Sequence, residues 1–215
     1  MMALPEILHL DEDFIIACKP AGMLTIPARG TLAESRSLLE LLRDEHGEVF
    51  TVHRLDREVS GAAVFARSRK AHAWLCGQFE RREVSKLYLA AAHGRVEEGE
   101  GEIDKPVQEY GSGRMGVGFD GKPSVTCYKV LGRLKTATLL EVDLKTGRRH
   151  QIRVHFYYIG HPLVGDPLYG DGELQSRYPR LMLHSWKLSF VSPSGKKISA
   201  EAEPSPDFTG VLDCL

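Results

Sequence analysis

A single carboxylate lies between two guanidinium groups in the segment His53-Arg54-Leu55-Asp56-Arg57. Aspartate carboxylates act in enzymes as nucleophiles towards carbon or as acceptors of a proton. The same segment also fits an ordinary ion pair at the end of a strand. Taken by itself, it leaves both interpretations open.

Two extended runs flank this carboxylate. Val49 to Leu55 is predicted to be extended, and Gly61 to Ala66 is a short apolar run between turn signals. Asp56 is therefore expected in the connection between two strands. Upstream, Ile7 to Leu10 and Phe14 to Cys18 are typical of a β-hairpin.

Two helices are marked by their N-terminal caps. The run Ser37-Leu38-Leu39-Glu40 is a capping box, and its helix should stop at Gly47. Ser68 is the expected N-cap of the next helix. That helix should pack on a sheet through one face, which carries Ala71, Trp74, Leu75, Gln78 and Phe79.

Strands are predicted through the middle of the chain. From Val84 to Ala92 the apolar period is two, so Lys86 and Tyr88 lie on the same face. Further strands are expected at Val125 to Leu131 and Ala137 to Leu144. Residues 94–121, which lie between the strand ending at Ala92 and the strand beginning at Val125, are acidic and rich in glycine. This composition indicates a small, flexible insertion or an RNA-facing loop.

The last part of the chain should contain a helix and a hairpin. Residues 149–158 have helical apolar spacing, and Gly160 should end that helix. Leu181 to Val191 and Lys197 to Ala202 are expected to pair. Strands outnumber helices without regular alternation, which predicts an α+β fold with a mixed, largely antiparallel sheet.

Neither a cofactor nor a metal ion is indicated. Residues 111–116 match the G-x-G-x-x-G pattern, but the following residues 117–123 cannot propagate a helix, so a glycine-rich hairpin loop is expected there. His150 and His155 are separated by about 140° on a helix and cannot share a metal ion. The other histidines show no metal-ligand spacing.

Composition is that of a globular protein, with 42% hydrophobic and 27% charged residues. There is no basic start followed by an apolar run and no stretch of about 20 apolar residues, so neither export nor membrane insertion is expected. The four cysteines occur singly, which favours a reducing compartment, the cytoplasm. At 215 residues, one domain over residues 1–215 and a monomeric state are expected.

Charge is distributed unevenly along the chain despite a formal net charge of -1. Basic residues dominate residues 129–153, and acidic residues dominate residues 97–109. Segregated charge of this kind forms either a positive face for phosphates or two ordinary solvated faces.

Three segments, in this order, closely resemble the RluA-type RNA pseudouridine synthases. They are residues 53–61, 86–90 and 146–155, the last continuing through residues 160–170. The family patterns are H-R-L-D-x-x-T-S-G, K-x-Y-x-A and G-R-x-H-Q-I-R-x-H. Because Lys19-Pro20-Ala21-Gly22 and Leu183-His184-Ser185 also match, the resemblance covers almost the whole chain.

The resemblance implies a pseudouridine synthase fold, with helices flanking the sheet and a central catalytic cleft, and a reaction without a cofactor. Asp56 would be the catalytic carboxylate, Arg153 would keep it ionised, and Tyr88 would stack on the flipped uracil. The residues that would bind the substrate are Arg54, Lys86, Arg148, His150, Gln151 and Leu183. A solvated strand position for Lys86 and a purely core position for Leu183 are the alternatives.

The chain departs from the family at two positions, with Val59 and Arg149 where threonine is usual. The catalytic pattern begins within the first 20 residues, so no separate S4 RNA-binding module is expected. The implied substrate is structured RNA, either an rRNA or a tRNA stem-loop. The rival functions are a non-catalytic RNA-binding or assembly module and a metal-dependent hydrolase.

Overall fold

The computed structural model describes residues 5–27, 36–111 and 113–215. The described residues form twelve strands and five helices. The strands are β1 (Ile7–Leu10), β2 (Phe14–Lys19), β3 (Phe50–Thr51), β4 (Ser60–Ala66), β5 (Ser85–His93), β6 (Glu100–Asp104), β7 (Val107–Glu109), β8 (Met115–Val117), β9 (Val125–Arg133), β10 (Ala137–Leu144), β11 (Leu183–Val191) and β12 (Lys197–Glu201). The helices are α1 (Leu38–His46), α2 (Arg69–Glu80), α3 (Gln151–Tyr158), α4 (Gly172–Gln175) and α5 (Pro206–Leu212).

The chain divides into two compact units. The first unit comprises Met1–Ser85 and Ser185–Glu203, and the second comprises Lys86–His184 and Pro204–Leu215. The predicted single catalytic domain over residues 1–215 stays a prediction.

The first unit is built on antiparallel strands. β2 pairs with both β1 and β4, β3 pairs with β4, and β11 pairs with β12. Its core includes Phe14, Val64, Leu75 and Phe190, and the rings of Phe14 and Phe190 meet edge to face at 4.9 Å. Burial of this apolar surface is the main stabilising contribution to the unit.

One glycine of the first unit is required by a close backbone approach. Gly61 lies next to the start of β4 with φ +109°, and an added Cβ would lie 2.2 Å from the carbonyl oxygen of Ser185. Because no side chain fits there, only glycine allows Ser185 to donate its hydroxyl to the carbonyl of Ala62 at 2.9 Å.

The second unit contains a longer antiparallel sheet. β10 pairs with β5 on one side and with β9 on the other, and β9 also pairs with β6. β7 and β8 form a separate hairpin that packs on α3. α3 also contacts the sheet through Phe156, whose ring meets that of Tyr128 at 5.6 Å.

The α+β class and the largely antiparallel pairing are confirmed. The capping box of α1 is present, with Ser37 and Glu40 bonding reciprocally, and Gly47 follows its last residue. Ser68 caps α2 as predicted. Among the described residues, no helix is long and apolar enough to span a membrane.

Two expectations were wrong. Residues 94–121 are not a flexible insertion, because they contain β6 and the β7–β8 hairpin. The glycine-rich hairpin loop predicted around residue 112 is present between Tyr110 and Arg114, although Ser112 itself lies outside the described residues.

The second wrong expectation concerns Trp74. It is not on the buried face of α2, since it is 41% exposed. Gln78, by contrast, is buried and binds both backbone groups of Val191.

Candidate functional site

The loop that carries Asp56 connects β3 and β4, as predicted. The Asp56 side chain is partly exposed, and its carbonyl accepts a hydrogen bond from the amide of Val59 at 3.1 Å. This bond closes a turn one residue before β4 begins. The preceding extended run is shorter than expected, because only Phe50–Thr51 pairs as a strand.

Thr25 fixes the residue that precedes Asp56. Its hydroxyl donates to the carbonyl of Leu55 at 2.9 Å and accepts from the amide of Leu55 at 3.2 Å. Thr25 is buried, so water cannot replace these bonds at low cost. The backbone entering Asp56 is therefore held at both of its polar groups.

Lys19 fixes the residue that follows Asp56. Its buried ammonium group donates to the carbonyls of Pro20, Met23 and Arg57 at 3.0, 2.7 and 3.1 Å. The carbonyl of Arg57 also accepts from the amide of Gly22 at 2.8 Å. Asp56 thus lies between two residues whose backbones are anchored to the segment after β2.

His53 and Arg54 have different environments although they are adjacent. His53 accepts the backbone N–H of Val64 on Nε2 at 3.1 Å and stacks on Phe79 with ring centroids 5.0 Å apart. His53 therefore anchors the loop to β4 and α2. Arg54 is exposed, which leaves its guanidinium accessible to a phosphate.

A buried ion pair lies in the second unit. Arg153 of α3 donates through Nε to Oδ2 of Asp166 at 2.8 Å and through a terminal nitrogen to Oδ1 at 2.7 Å. Neither side chain is exposed. Asp166 also accepts the amides of Leu168 and Tyr169, at 2.9 and 3.2 Å, so its carboxylate is held in place. Arg153 was predicted from the sequence as a site residue, whereas Asp166 was not. The predicted action of Arg153 on Asp56 stays a prediction.

Gln175 organises the loop that carries Asp166. Its side-chain oxygen accepts the amides of Gly165 and Asp166 at 2.6 and 3.2 Å, and its nitrogen donates to the carbonyls of Leu163 and Tyr169. Gly165 has φ +71°, and an added Cβ would lie 1.9 Å from the carbonyl oxygen of Arg180. The loop therefore requires glycine at this position.

Tyr169 packs over the Arg153 guanidinium. The ring centroid lies 5.3 Å from Cζ of Arg153, and the hydroxyl bonds to Nδ1 of His150 at 3.0 Å. Burial raises the pKa of Tyr169, so its hydroxyl stays protonated near neutral pH. The cation–π attraction between the Tyr169 ring and the guanidinium helps to hold Arg153 in its orientation.

Three predicted substrate-binding residues at the start of α3, Arg148, His150 and Gln151, differ in their environments. Gln151 is buried and binds Val125, Thr126, Thr146 and the amide of Arg148. With all its polar groups used, the amide of Gln151 supports the turn and has nothing left for a substrate, contrary to expectation. His150 has a left-handed backbone, φ 55°. Nε of Arg148 is buried without a hydrogen-bond partner among the described residues.

Lys86, Tyr88 and Leu183 are all buried. Lys86 and Tyr88 lie on β5, and Tyr88 is opposite Val142 of β10. The alternative of a solvated strand lysine is therefore wrong for Lys86. Leu183 begins β11.

The charged blocks of the second unit partly neutralise each other. Glu100 of β6 is opposite Lys129 of β9, and Arg149 forms an ion pair with Glu109 at 3.3 Å. Of the two interpretations of this charge segregation, these pairs favour ordinary solvated faces over a positive face for phosphates. Among the described residues, no group of three histidine, cysteine, aspartate or glutamate side chains could hold a metal ion.

Comparison with known proteins identifies the family. Residues 13–158 match the model of the RNA pseudouridylate synthase family. The chain is 37% identical to the ribosomal large subunit pseudouridine synthase D of Nitrosomonas europaea, over 96% of this chain and 64% of that protein. It is 34% identical to the dual-specificity RNA pseudouridine synthase RluA of Pasteurella multocida, over 93% of each chain.

A solved structure agrees with this result. Human RNA Pseudouridylate Synthase Domain Containing 1 superposes with a TM-score of 0.83 at 26% identity, over 100% of this chain and 89% of that one. The fold and the matching segments define an isomerase class, the pseudouridine synthases. The chain belongs to the RNA pseudouridine synthase family, whose members convert uridine to pseudouridine in RNA.

Proposed function

We propose that this protein isomerises one uridine in a structured rRNA or tRNA stem-loop, with Asp56 as the catalytic carboxylate. The observation that carries the proposal is the anchoring of both neighbours of Asp56, by Thr25 on one side and Lys19 on the other. A reacting group must be held in a productive position, and these bonds fix the backbone on both sides of Asp56.

The reaction breaks the bond between ribose C1′ and uracil N1, rotates the base and joins C1′ to C5. The proton on C5 is lost to solvent and one proton is gained at N1, so the reaction is neither redox nor hydrolysis. Asp56 attacks C1′ as a nucleophile or removes a ribose proton as a base. Both routes begin with the ionised carboxylate.

The other roles follow the family resemblance. Tyr88 stacks on the flipped uracil, an interaction worth about 1 to 3 kcal/mol, which offsets the cost of removing the base from its helix. Arg153 keeps Asp56 ionised, and the buried pair with Asp166 supports that role by fixing the guanidinium. Arg54 fills the gap left by the nucleotide, which its exposure supports.

The remaining substrate contacts are assigned by their environment. Arg148 and His150 lie in the turn before α3 and are proposed to bind RNA backbone. Lys86 and Leu183 are buried, so we propose that they line the base-binding region rather than contact phosphates. The enzyme is proposed to act as a monomer in the cytoplasm. The four free cysteines support a reducing compartment.

Tritium release from C5-labelled uridine in total RNA tests the activity. The proposal expects release that is insensitive to chelator, with the mass of the RNA unchanged. The non-catalytic alternative predicts binding without release, and a metal-dependent hydrolase predicts chelator sensitivity and RNA of altered mass. Pseudouridine mapping of the same RNA with and without the protein then identifies the uridine.

A further inference from the structure

The outer face of α2 exposes a tryptophan. Trp74 donates its indole N–H to the carbonyl of Val191 at 2.8 Å, which satisfies its polar atom and fixes the ring. The side chain is nevertheless 41% exposed. A rigid, partly exposed tryptophan presents a large flat surface at little entropic cost on binding.

This tryptophan is one side of a groove on the first unit. The groove, called here the α2 groove, is lined by Lys70, Ala73, Trp74, Gly77, Arg81 and Pro193. Ala73, with its small side chain, and Gly77, which has none, leave room beside the indole. A Cβ on Gly77 would lie 3.0 Å from a terminal nitrogen of Arg81, so the guanidinium rests against the glycine.

The surroundings of the α2 groove are positively charged. Six basic and three acidic residues are the exposed charged residues of α2, the turn that follows it and the β11–β12 hairpin: Arg69, Lys70, Arg81, Arg82, Lys196 and Lys197 against Glu80, Glu83 and Glu201. Arg81 is bound to Glu83 through two bonds of 2.9 Å, but both side chains are exposed. Because the pair is exposed, solvent and salt screen it, and a phosphate can compete with Glu83 for the guanidinium.

We propose that the α2 groove binds a single-stranded stretch of the substrate RNA, with one base stacked on Trp74 and phosphates on Lys70 and Arg81. This inference rests on the proposed function, because RNA is the substrate there. An aromatic platform with basic residues at both ends is the arrangement used for single strands. Lys70 and Arg81 are separated by about 16 Å along the helix, a distance that a short stretch of single-stranded RNA can span.

Trp74 itself reports on occupancy. The chain has two tryptophans, so Trp186→Phe leaves Trp74 as the single tryptophan. Titration with hexa-adenylate, which contains no uridine, should quench its fluorescence saturably. Two phosphate contacts predict a slope of log K against log salt of about −1.4 for a single strand.

Variants separate the groove from general attraction to RNA. The double variant Lys70→Ser with Arg81→Ser should lose the salt-dependent part of the affinity. The matched control is Arg95→Ser, since Arg95 forms the same kind of exposed pair with Glu97. Measured by anisotropy of labelled hexa-adenylate, Trp74→Ala should weaken binding about fivefold or more, whereas Trp74→Phe retains most of it.

The inference is overturned by an absence of saturable quenching, or by quenching that the double variant leaves unchanged. Quenching by hexaglutamate but not by hexa-adenylate also overturns it, since that result assigns the groove to an acidic protein segment. Failure of the proposed function has a different signature: hexa-adenylate binds the groove, while the wild-type protein releases no tritium from C5-labelled RNA.

Discussion

The side chains of Arg153 and Asp166 form a doubly hydrogen-bonded ion pair with no solvent exposure. Removing one partner of such a buried pair is strongly destabilising, so the two residues depend on each other for stability. Arg153 is the proposed catalytic arginine, which makes Asp166 its positioning residue.

Replacing Asp166 should therefore be costly. We expect Asp166→Asn to lower the free energy of unfolding by about 3 to 5 kcal/mol, because it removes the charge of the carboxylate that binds the buried guanidinium through two hydrogen bonds. Urea denaturation measures the loss. The control is Glu173→Gln, which breaks the exposed pair with Arg177 and should cost about 1 kcal/mol or less. Equal losses in the two variants would contradict the account.

The Thr25 hydroxyl should matter for turnover as well as for stability. Thr25→Val keeps the shape of the side chain but leaves both polar groups of Leu55 unsatisfied, at a cost of about 1 to 3 kcal/mol. We expect a lower single-turnover rate with nearly unchanged RNA affinity. Thr25→Ser should restore the rate. A rate that Thr25→Val leaves unaltered would show that this anchor does not position Asp56.

His155 should make the protein less stable in mild acid. Burial lowers the pKa of His155 in the folded chain. Below the ordinary histidine pKa of about 6.5, the unfolded chain therefore binds a proton at this residue, whereas the folded chain does not. Stability therefore falls as the pH drops through that region. His155→Gln removes the titrating group, and the loss between about pH 7.5 and 5.5 should become smaller. A loss of the same size in His155→Gln and in the wild type would contradict this assignment.

Tyr88→Phe should separate stacking from proton transfer. The phenyl ring retains the stacking surface, so RNA binding should persist, whereas product formation should slow if the hydroxyl moves a proton late in the reaction. Rapid-quench analysis of a single turnover gives the rate. Identical rates for the two proteins would remove the second role from Tyr88.

The elements that sequence patterns predicted best are those with local signals. α1 and α2 have serine N-caps and apolar stripes, and β4 and β10 are apolar runs bounded by turns. β6 was missed because its residues Glu-Gly-Glu-Ile-Asp have low strand propensity, and pairing with β9 determines its conformation. α4 and α5 are short, which leaves little periodicity to detect.

The same distinction applies to the candidate site. Asp56 was identified because its neighbours in sequence are informative, and its loop position followed from the flanking strands. Thr25 and Lys19 were missed, since their contacts with residues 55 and 57 span 30 and 38 positions. Asp166 and Gln175 act through packing around Arg153, which no spacing rule reveals. Residues 160–170, which include Asp166, belong to the third segment that resembles the family, but no role was predicted for Asp166.

The proposed reaction begins with the negative charge of Asp56, and Asp56→Asn preserves the shape of the side chain while removing that charge. Tritium release in a single turnover, measured beside RNA affinity and with the surface variant Asp213→Asn as control, tests it most directly. We predict that Asp56→Asn binds RNA like the wild type and releases no tritium, while Asp213→Asn does both. Tritium release by Asp56→Asn at the wild-type rate would contradict the claim.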